Sequence, residues 1–461
     1  MNRAPAPRAR GIHLIGIGGS GMSGLARLAA QAGYKVSGSD RERSAVVDDL
    51  SSIGVRVTIG HSAAAIPAHI ETVVISTAIS VDNPEYAEAV RRGITIAHRS
   101  DLLVELMEGF RCLAIAGAHG KSTTSGMLLA ALGDASGCVG ATVAGGYGTG
   151  AIWGTSEWFV AEADESDRSL LRFSPEAAVL LNVDHDHHTT YASLEDVEEV
   201  FAAFLARVPA EGLVVAGPDD RAQAIARASG REVRVIGESS DAWARILESN
   251  GGRATLQLNT GQRVVLELQV PGRHNIENAA CALAVADWCG VDLDVAATRL
   301  TTFTGVGRRF ELRGVAGGVT VIDDYAHHPA EVRATLSAAR ERATGRVIAI
   351  FQPHLYSRTR ELCDEFANAL AGADRVYVTE IYAAREDPIA GVSGRDIVDR
   401  LAASEHAEFV PQLDAVVPRV VDEAREGDLV LTLGAGDITR IGNDLVQGLH
   451  ERSAQRAKRG E

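Results

Sequence analysis

Lysine is nearly missing from this 461-residue chain: it occurs only as Lys35, Lys121 and Lys458, and arginine supplies the rest of the positive charge. Positive charge as a whole is also short, with 45 Lys and Arg against 61 Asp and Glu and a formal net charge of −16. Such a surface repels phosphate backbones and no basic run offsets it locally, so nucleic acid is not expected as a partner. Anionic small molecules must then be held by specific groups. The five cysteines (Cys112, Cys138, Cys281, Cys289, Cys363) form no CxxC pair, so they indicate neither a zinc site nor a disulfide framework and read as ordinary buried thiols. No stretch reaches the ~18 uninterrupted apolar residues of a membrane span, and MNRAPAPRAR lacks the apolar run of a signal peptide. A cytoplasmic protein with no membrane partner is expected, either monomer or homodimer.

What is present is apolar material for several cores, 46% hydrophobic against 23% charged. At ~150 residues per domain the length divides into about three. Short apolar runs recur, each ending in Gly or a polar residue: HLIGIG, VVIST, LAIAG, WFVAEAD, AAVLLN, VTVIDD, VIAIFQP, VYVTE and LVLTLGAG. Between most of them lie stretches of helical periodicity such as SGLARLAAQAG and AEVRATLSAARER. Strands alternating with helices predict parallel sheets, whose ligands sit beyond the carboxyl ends of the strands. Breaks near 107 and 312 give blocks 1–107, 108–311 and 312–461. Within the middle block, 213–270 is strand-rich with turns, which predicts a partly antiparallel addition.

Four groups of residues carry chemistry. Gly16-Ile-Gly18-Gly19-Ser20-Gly21 lies between a strand and a helix, with Asp40 ending the next strand. Such glycines let a pyrophosphate approach backbone amides at a helix start, and the acid can bind a ribose hydroxyl, so the loop reads as a site for NAD or another nucleotide. Gly117-Ala118-His119-Gly120-Lys121-Ser122-Thr123 repeats the strand–loop–helix setting with a phosphate-loop ending: Lys121 and backbone amides for ATP phosphates, Ser122 for Mg²⁺. Its spacing, GxxGKS, is shorter than the usual GxxxxGK[ST]. Next come Glu162-Ala-Asp164-Glu165-Ser-Asp167 and Asn182-Val-Asp184-His185-Asp186-His187-His188, oxygen-rich strand ends that suit Mg²⁺, with zinc the lower-ranked alternative for the histidines. The last group is Arg308, Arg309, then Tyr325, His327 and His328, then His354 and Arg358, where arginines suit a carboxylate or a transferring phosphoryl group.

Taken together, HLIGIGGSGMSGLA, STAISVDNPE, AGAHGKSTT, EADESDRSLL, NVDHDHHTTY, PGRHNIENA, GVGRRFE, DDYAHHPAEV, FQPHLYSRTR and LGAGDI resemble the Mur ligase family over nearly the whole chain. The resemblance implies a three-domain α/β fold: a Rossmann-like N-terminal domain, a P-loop-type ATPase centre whose mostly parallel sheet carries a small antiparallel addition, and a Rossmann-like C-terminal domain. It further implies ATP-dependent ligation of L-alanine to the lactyl carboxylate of UDP-N-acetylmuramate through an acyl phosphate, with Mg²⁺. The first glycine loop would then hold the UDP-sugar rather than NAD, through Gly16, Gly18, Gly19, Ser20, Gly21, Asp40, Ser76 and Thr77. Lys121 would hold ATP phosphates, Ser122, Glu162 and His187 the metal, and Asn275 and Asn278 would lie near the adenine. Arg308 or Arg309 would face the γ-phosphate, and Tyr325, His327, His354 and Arg358 would form the alanine pocket.

The chain departs from the family pattern in places. Many relatives carry a lysine that is carbamylated to bind a second metal, where this chain has Glu198 in SLEDVEEVFAAF; Glu198 or Glu199 is the expected replacement ligand. Rival readings are a recycling ligase that adds a tripeptide to the same sugar nucleotide, a P-loop kinase, and a nucleotide-binding protein without turnover.

Overall fold

The computed structural model describes residues 10–143, 149–185, 190–384, 386–401 and 406–459. The chain opens on a five-stranded parallel sheet in the order Arg56–Ile59, Lys35–Asp40, Gly11–Ile15, Thr72–Ile75, Thr95–His98. Its central strand, GIHLI, is buried along its length, the near-continuous apolar pattern of a strand covered on both faces. Strand order reverses beside this strand, so the glycine loop that follows it sits at a topological switch point, where such sheets bind ligands.

A seven-stranded sheet follows in the order Glu232–Val235, Leu213–Ala216, Ala177–Leu180, Arg111–Ala116, Trp158–Glu162, Ser136–Val143, Thr149–Ile152. Its pairings are parallel apart from the edge hairpin of Ser136–Val143 with Thr149–Ile152. Gly24 of the helix Ser20–Gln31 faces Cys138 and Ala151 of that hairpin, so the first glycine loop is carried directly on the second sheet. The antiparallel addition is narrower than the sequence implied. Residues 213–235 extend the parallel sheet, whereas Ala244–Asn250, Arg253–Leu258 and Arg263–Glu267 form a separate three-stranded sheet. Connections of two and four residues permit only antiparallel pairing there.

The last sheet has six strands in the order Glu311–Ala316, Val319–Asp324, Leu429–Leu433, Val347–Phe351, Arg375–Val378, Ala407–Phe409, the first pair antiparallel and the rest parallel. Gly317 and Gly318, at φ 57° and 75°, supply the positive φ that a two-residue hairpin turn demands. Residues up to Glu248, with Ala254–Glu267 and Glu277–Thr304, make one compact unit; Ser249–Arg253, Leu268–Ile276 and Gly305–Glu461 make a second. All five cysteines are unbridged, and burial pushes the Cys112 and Cys138 thiols up to about 12, which keeps them unreactive. Among the described residues no helix is long and apolar enough to cross a membrane.

Candidate functional site

The first glycine loop is held by the neighbouring strand end. Gly16, at φ 73°, and Ile17 donate their amides to Ser39 O at 2.8 and 2.9 Å, and Gly18 N donates to Asp40 Oδ2 at 2.8 Å. A Cβ at Gly18 would stand 2.9 Å from that same oxygen, so the Asp40 contact itself requires glycine. Asp40, read as a ribose ligand, thus spends one oxygen on shaping the loop. Ser76 and Thr77 follow Thr72–Ile75, the strand next to Gly11–Ile15, and so lie at the same sheet edge. The helix Ser20–Gln31 begins at Gly19 with no side-chain cap and no acid in its first turn.

Sequence reasoning missed what supports this loop. Glu85 is fully buried and accepts from His13 Nε2 at 2.7 Å, Ser39 Oγ at 2.8 Å and His61 Nδ1 at 2.8 Å. Burial resists its charge, but these donors outweigh burial and hold the carboxyl below its usual range. The only sequence signal was a polar His13 inside an apolar strand.

The second loop turns at Gly117 (φ 135°) and Gly120 (φ 85°). A Cβ at Gly120 would stand 3.0 Å from Asn278 Oδ1, which places that side chain against the loop. Asn182 braces it from the adjacent strand end, accepting from His119 N at 2.8 Å and donating to His119 O at 3.1 Å. Lys121 Nζ donates to Gly117 O at 2.6 Å and Ala118 O at 3.2 Å, and lies 2.9 Å from Glu165 Oε2. Burial alone would lower its pKa; Glu165, Asp164 and Glu162 reverse this and raise it. Ser122 Oγ sits 3.0 Å from both Glu162 oxygens, and Gly140 N donates to Oε2 at 2.9 Å. Thr123 is buried in the first turn of the helix Lys121–Leu132.

The acidic run is therefore divided. Glu162 faces Ser122, Glu165 takes Lys121, and Asp164 and Asp167 accept from Arg99 Nη2 at 2.6 and 3.2 Å. Burial disfavours the Asp164 charge, but Lys121 and Arg99 overcome this and hold its carboxyl well below the usual range. His187 lies outside the described residues, as do Asp186, His188 and Thr189. Of the remaining cluster, Asp184 Oδ2 is 3.4 Å from His119 Nε2, and His185 Nε2 is 3.3 Å from Tyr191 O. In the helix Leu194–Leu205, Glu198 is half-buried and paired with Arg221 of the next helix, and Glu199 is exposed.

In the second unit Arg308 Nη2 donates to Gly434 O at 2.6 Å and Gly436 O at 3.2 Å, fixing the LGAG turn, and Arg309 Nη1 donates to Glu331 Oε1 at 3.0 Å. Both guanidinium carbons lie over Tyr325, at 4.9 and 5.2 Å from its ring centre. Beside them Asp324 accepts from Phe310 N and Ala326 N, each at 2.7 Å, and burial raises its carboxyl to about 6 against the pull of Arg309. From Tyr325 the rings run on without a gap: His327 at 5.1 Å, then His354 at 5.7 Å, then Tyr382 stacked at 5.9 Å. Arg358, buried, brings Nη1 to 3.5 Å from His354 Nδ1. The four expected pocket residues are thus brought together, and Tyr382 joins them without a sequence signal. Asn275, by contrast, is turned onto its own helix start, donating from Nδ2 to Pro271 O at 2.6 Å.

Residues 11–111 match the Mur ligase family catalytic domain, 115–286 the Mur ligase middle domain, and 308–436 the Mur ligase glutamate ligase domain. The chain belongs to the Mur ligase family. It is 46% identical over 448 residues to a UDP-N-acetylmuramate–L-alanine ligase of Paenarthrobacter aurescens, covering 95% of this chain and 97% of that one. It is 44% identical over 449 residues to the enzyme of that description in Streptomyces coelicolor, with the same two coverages. The crystal structure of a UDP-N-acetylmuramate–alanine ligase from Thermotoga maritima superimposes with a TM-score of 0.79 at 28% identity, covering 98% and 99% of the two chains.

Proposed function

We propose that the chain joins L-alanine to the lactyl carboxylate of UDP-N-acetylmuramate in the cytoplasm, consuming ATP and giving UDP-N-acetylmuramoyl-L-alanine, ADP and phosphate. The observation that carries this reading is near full-length likeness, at 44–46% identity, to ligases so described. In this reading block 1–107 binds the sugar nucleotide, 108–311 binds ATP and 312–461 binds alanine.

The reaction needs a carboxylate to attack the γ-phosphate and an amine to attack the resulting acyl phosphate, so the protein's work is positioning and charge neutralisation. Lys121 is kept charged by Glu165 and serves the phosphates. Ser122 Oγ lies 3.0 Å from each oxygen of the Glu162 carboxylate, an oxygen set that fits Mg²⁺; these residues, with His187, would hold it. When bound, Mg²⁺ supplies neutralisation of phosphate charge. Arg358 pairs with the carboxylate of alanine beside His354, while His327 and Tyr325 close the pocket. Arg308 or Arg309 faces the phosphoryl group in this reading, Arg308 being held by the LGAG carbonyls and Arg309 by Glu331.

The test is incubation with UDP-N-acetylmuramate, Mg²⁺, ATP and single amino acids, followed by mass spectrometry. A mass increase of one alanyl residue with release of ADP supports the reading. A phosphorylated sugar nucleotide as end product would mean a kinase, and turnover with a tripeptide but not with alanine would mean the recycling type.

A further inference from the structure

We propose that Glu331 is a positioning residue that holds His327 as the proton acceptor for the ammonium group of alanine, an inference that rests on assigning Tyr325, His327, His354 and Arg358 to the amino acid. Alanine carries a protonated amine at neutral pH, and an ammonium nitrogen has no lone pair with which to attack an acyl phosphate. A proton must therefore leave it inside the pocket.

Glu331 stands in the first turn of the helix Pro329–Arg342, and its side chain is 8% exposed. Capping that helix would occupy one oxygen, and Oε2 fills this role by accepting from His327 N at 3.0 Å. The remaining contacts exceed a cap. Oε1 accepts from Arg309 Nη1 at 3.0 Å, and Oε2 also stands 3.3 Å from His327 Nδ1, which is itself 3.0 Å from Tyr325 O. Both of these neighbours of Nδ1 are acceptors, so the neutral ring carries its proton on Nδ1 and Nε2 is its basic nitrogen.

The cations nearby oppose a positive ring. Arg308 and Arg309 lie over Tyr325, whose ring meets His327 at 5.1 Å, and His354, with Arg358 beside it, meets His327 at 5.7 Å. Asp324, raised to about 6 by burial, is turned to the amides of Phe310 and Ala326, and Tyr382 is stacked on His354. Glu331 is the carboxylate placed on His327 itself. One ammonium proton passes to His327 Nε2, leaving an amine and an imidazolium whose charge Glu331 balances. The amine lone pair forms the C–N bond to the acyl carbon as the C–O bond to phosphate breaks. The departing phosphate takes the second proton, and His327 returns its own to solvent.

The test compares alanine with hydroxylamine, an amine uncharged at neutral pH, as acceptors in the complete reaction with UDP-N-acetylmuramate and Mg-ATP, for the full chain and for Glu331→Gln. The variant keeps the shape of the side chain and loses its charge. The kcat for alanine should fall by roughly 10–100-fold, with the alanine KM changed far less. The acidic limb of the pH–rate profile should move to lower pH, because a carboxylate beside an imidazole favours its protonated form. Hydroxylamine needs no base and should lose much less. Equal losses for the two amines, or an unmoved acidic limb, overturn the proposal, since a carboxylate that only capped the helix or held Arg309 would affect both amines alike. If Glu331→Gln does not fold, His327→Gln decides: a loss specific to alanine supports the proposal and equal losses overturn it. Arg358→Ala is the separate control for the pocket. An unchanged alanine KM in that variant would mean that the amino acid binds elsewhere, a failure of the pocket assignment whatever Glu331→Gln does.

Discussion

Replacing Glu165 by alanine isolates what the buried pair at the second loop does. The side chains of Lys121 and Glu165 are 14% and 4% exposed and 2.9 Å apart, so removing the carboxylate leaves a buried ammonium without its nearest counter-charge. Breaking such a pair costs about 3–5 kcal/mol. The lower end applies here, because Asp164 also stabilises the Lys121 charge and the carbonyls of Gly117 and Ala118 still accept from it. All four tryptophans (Trp153, Trp158, Trp243, Trp288) fall in the first compact unit, so their fluorescence during urea unfolding reports on that unit alone. The unfolding free energy should drop by about 3 kcal/mol. Mg-ATP should at the same time bind more tightly to the variant, since its phosphates no longer compete with Glu165 for Lys121. A loss below about 1 kcal/mol, or weaker Mg-ATP binding in a folded variant, would refute the reasoning; the second result would make Glu165 part of the metal site.

Three further outcomes are expected. Lys121→Ala should abolish ligation while leaving UDP-N-acetylmuramate binding nearly intact by titration, because the proposed function assigns the two nucleotides to separate loops. Arg358→Ala should chiefly raise the alanine KM, by about 2–5 kcal/mol in apparent binding energy, with kcat less affected; an unchanged KM removes Arg358 from the pocket. Asp324 should titrate near 6 by carbon NMR of its carboxyl, a raised value caused first by burial. The folded chain therefore holds this proton more tightly than the unfolded chain. The stability it contributes is full below about pH 4, lost as pH rises through about 6, and worth about 3 kcal/mol.

Both glycine loops and every strand that precedes a motif were legible in the sequence, because parallel strands covered on both faces read as apolar runs and their polar ends mark the ligand edge. Ser136–Val143 and Thr149–Ile152 were not, since SGCVGATV and TGAI are small-residue strands with little hydrophobic contrast. Pairing of charges was the larger gap. EADESD reads as one acidic cluster, yet its carboxylates go to three different partners. Arg99, the partner of Asp164 and Asp167, is 65 and 68 residues away from them in sequence. No local pattern encodes such a pairing; only the packing of the first block on the second sheet creates it. Asp40 shows the same limit. Its spacing from the glycines correctly placed it at the loop, but not which atom it would meet.

Dispensing with bicarbonate is the behaviour that the scarcity of lysine predicts. A carbamate forms from CO₂ and an uncharged lysine amine, and the chain offers only three candidates. Lys121 is held by Gly117 O, Ala118 O and Glu165, and its raised pKa keeps it protonated. Lys35 is an exposed residue at the start of a strand in the first sheet, at the opposite end from the glycine loop. Lys458 lies near the end of the last helix, Ile441–Arg459. None of them belongs to the group formed by Ser122 and Glu162. On the helix Leu194–Leu205, Glu198 is paired with Arg221. In the proposed reading, charge at the metal site comes from Glu162 and from ATP itself, and neither depends on dissolved CO₂. Ligation rates measured in buffer stripped of CO₂ should equal those measured after bicarbonate is added back. A rate that collapses on stripping and recovers with bicarbonate would show that one of these three lysines is carbamylated, and Lys121 would then have to be reassigned.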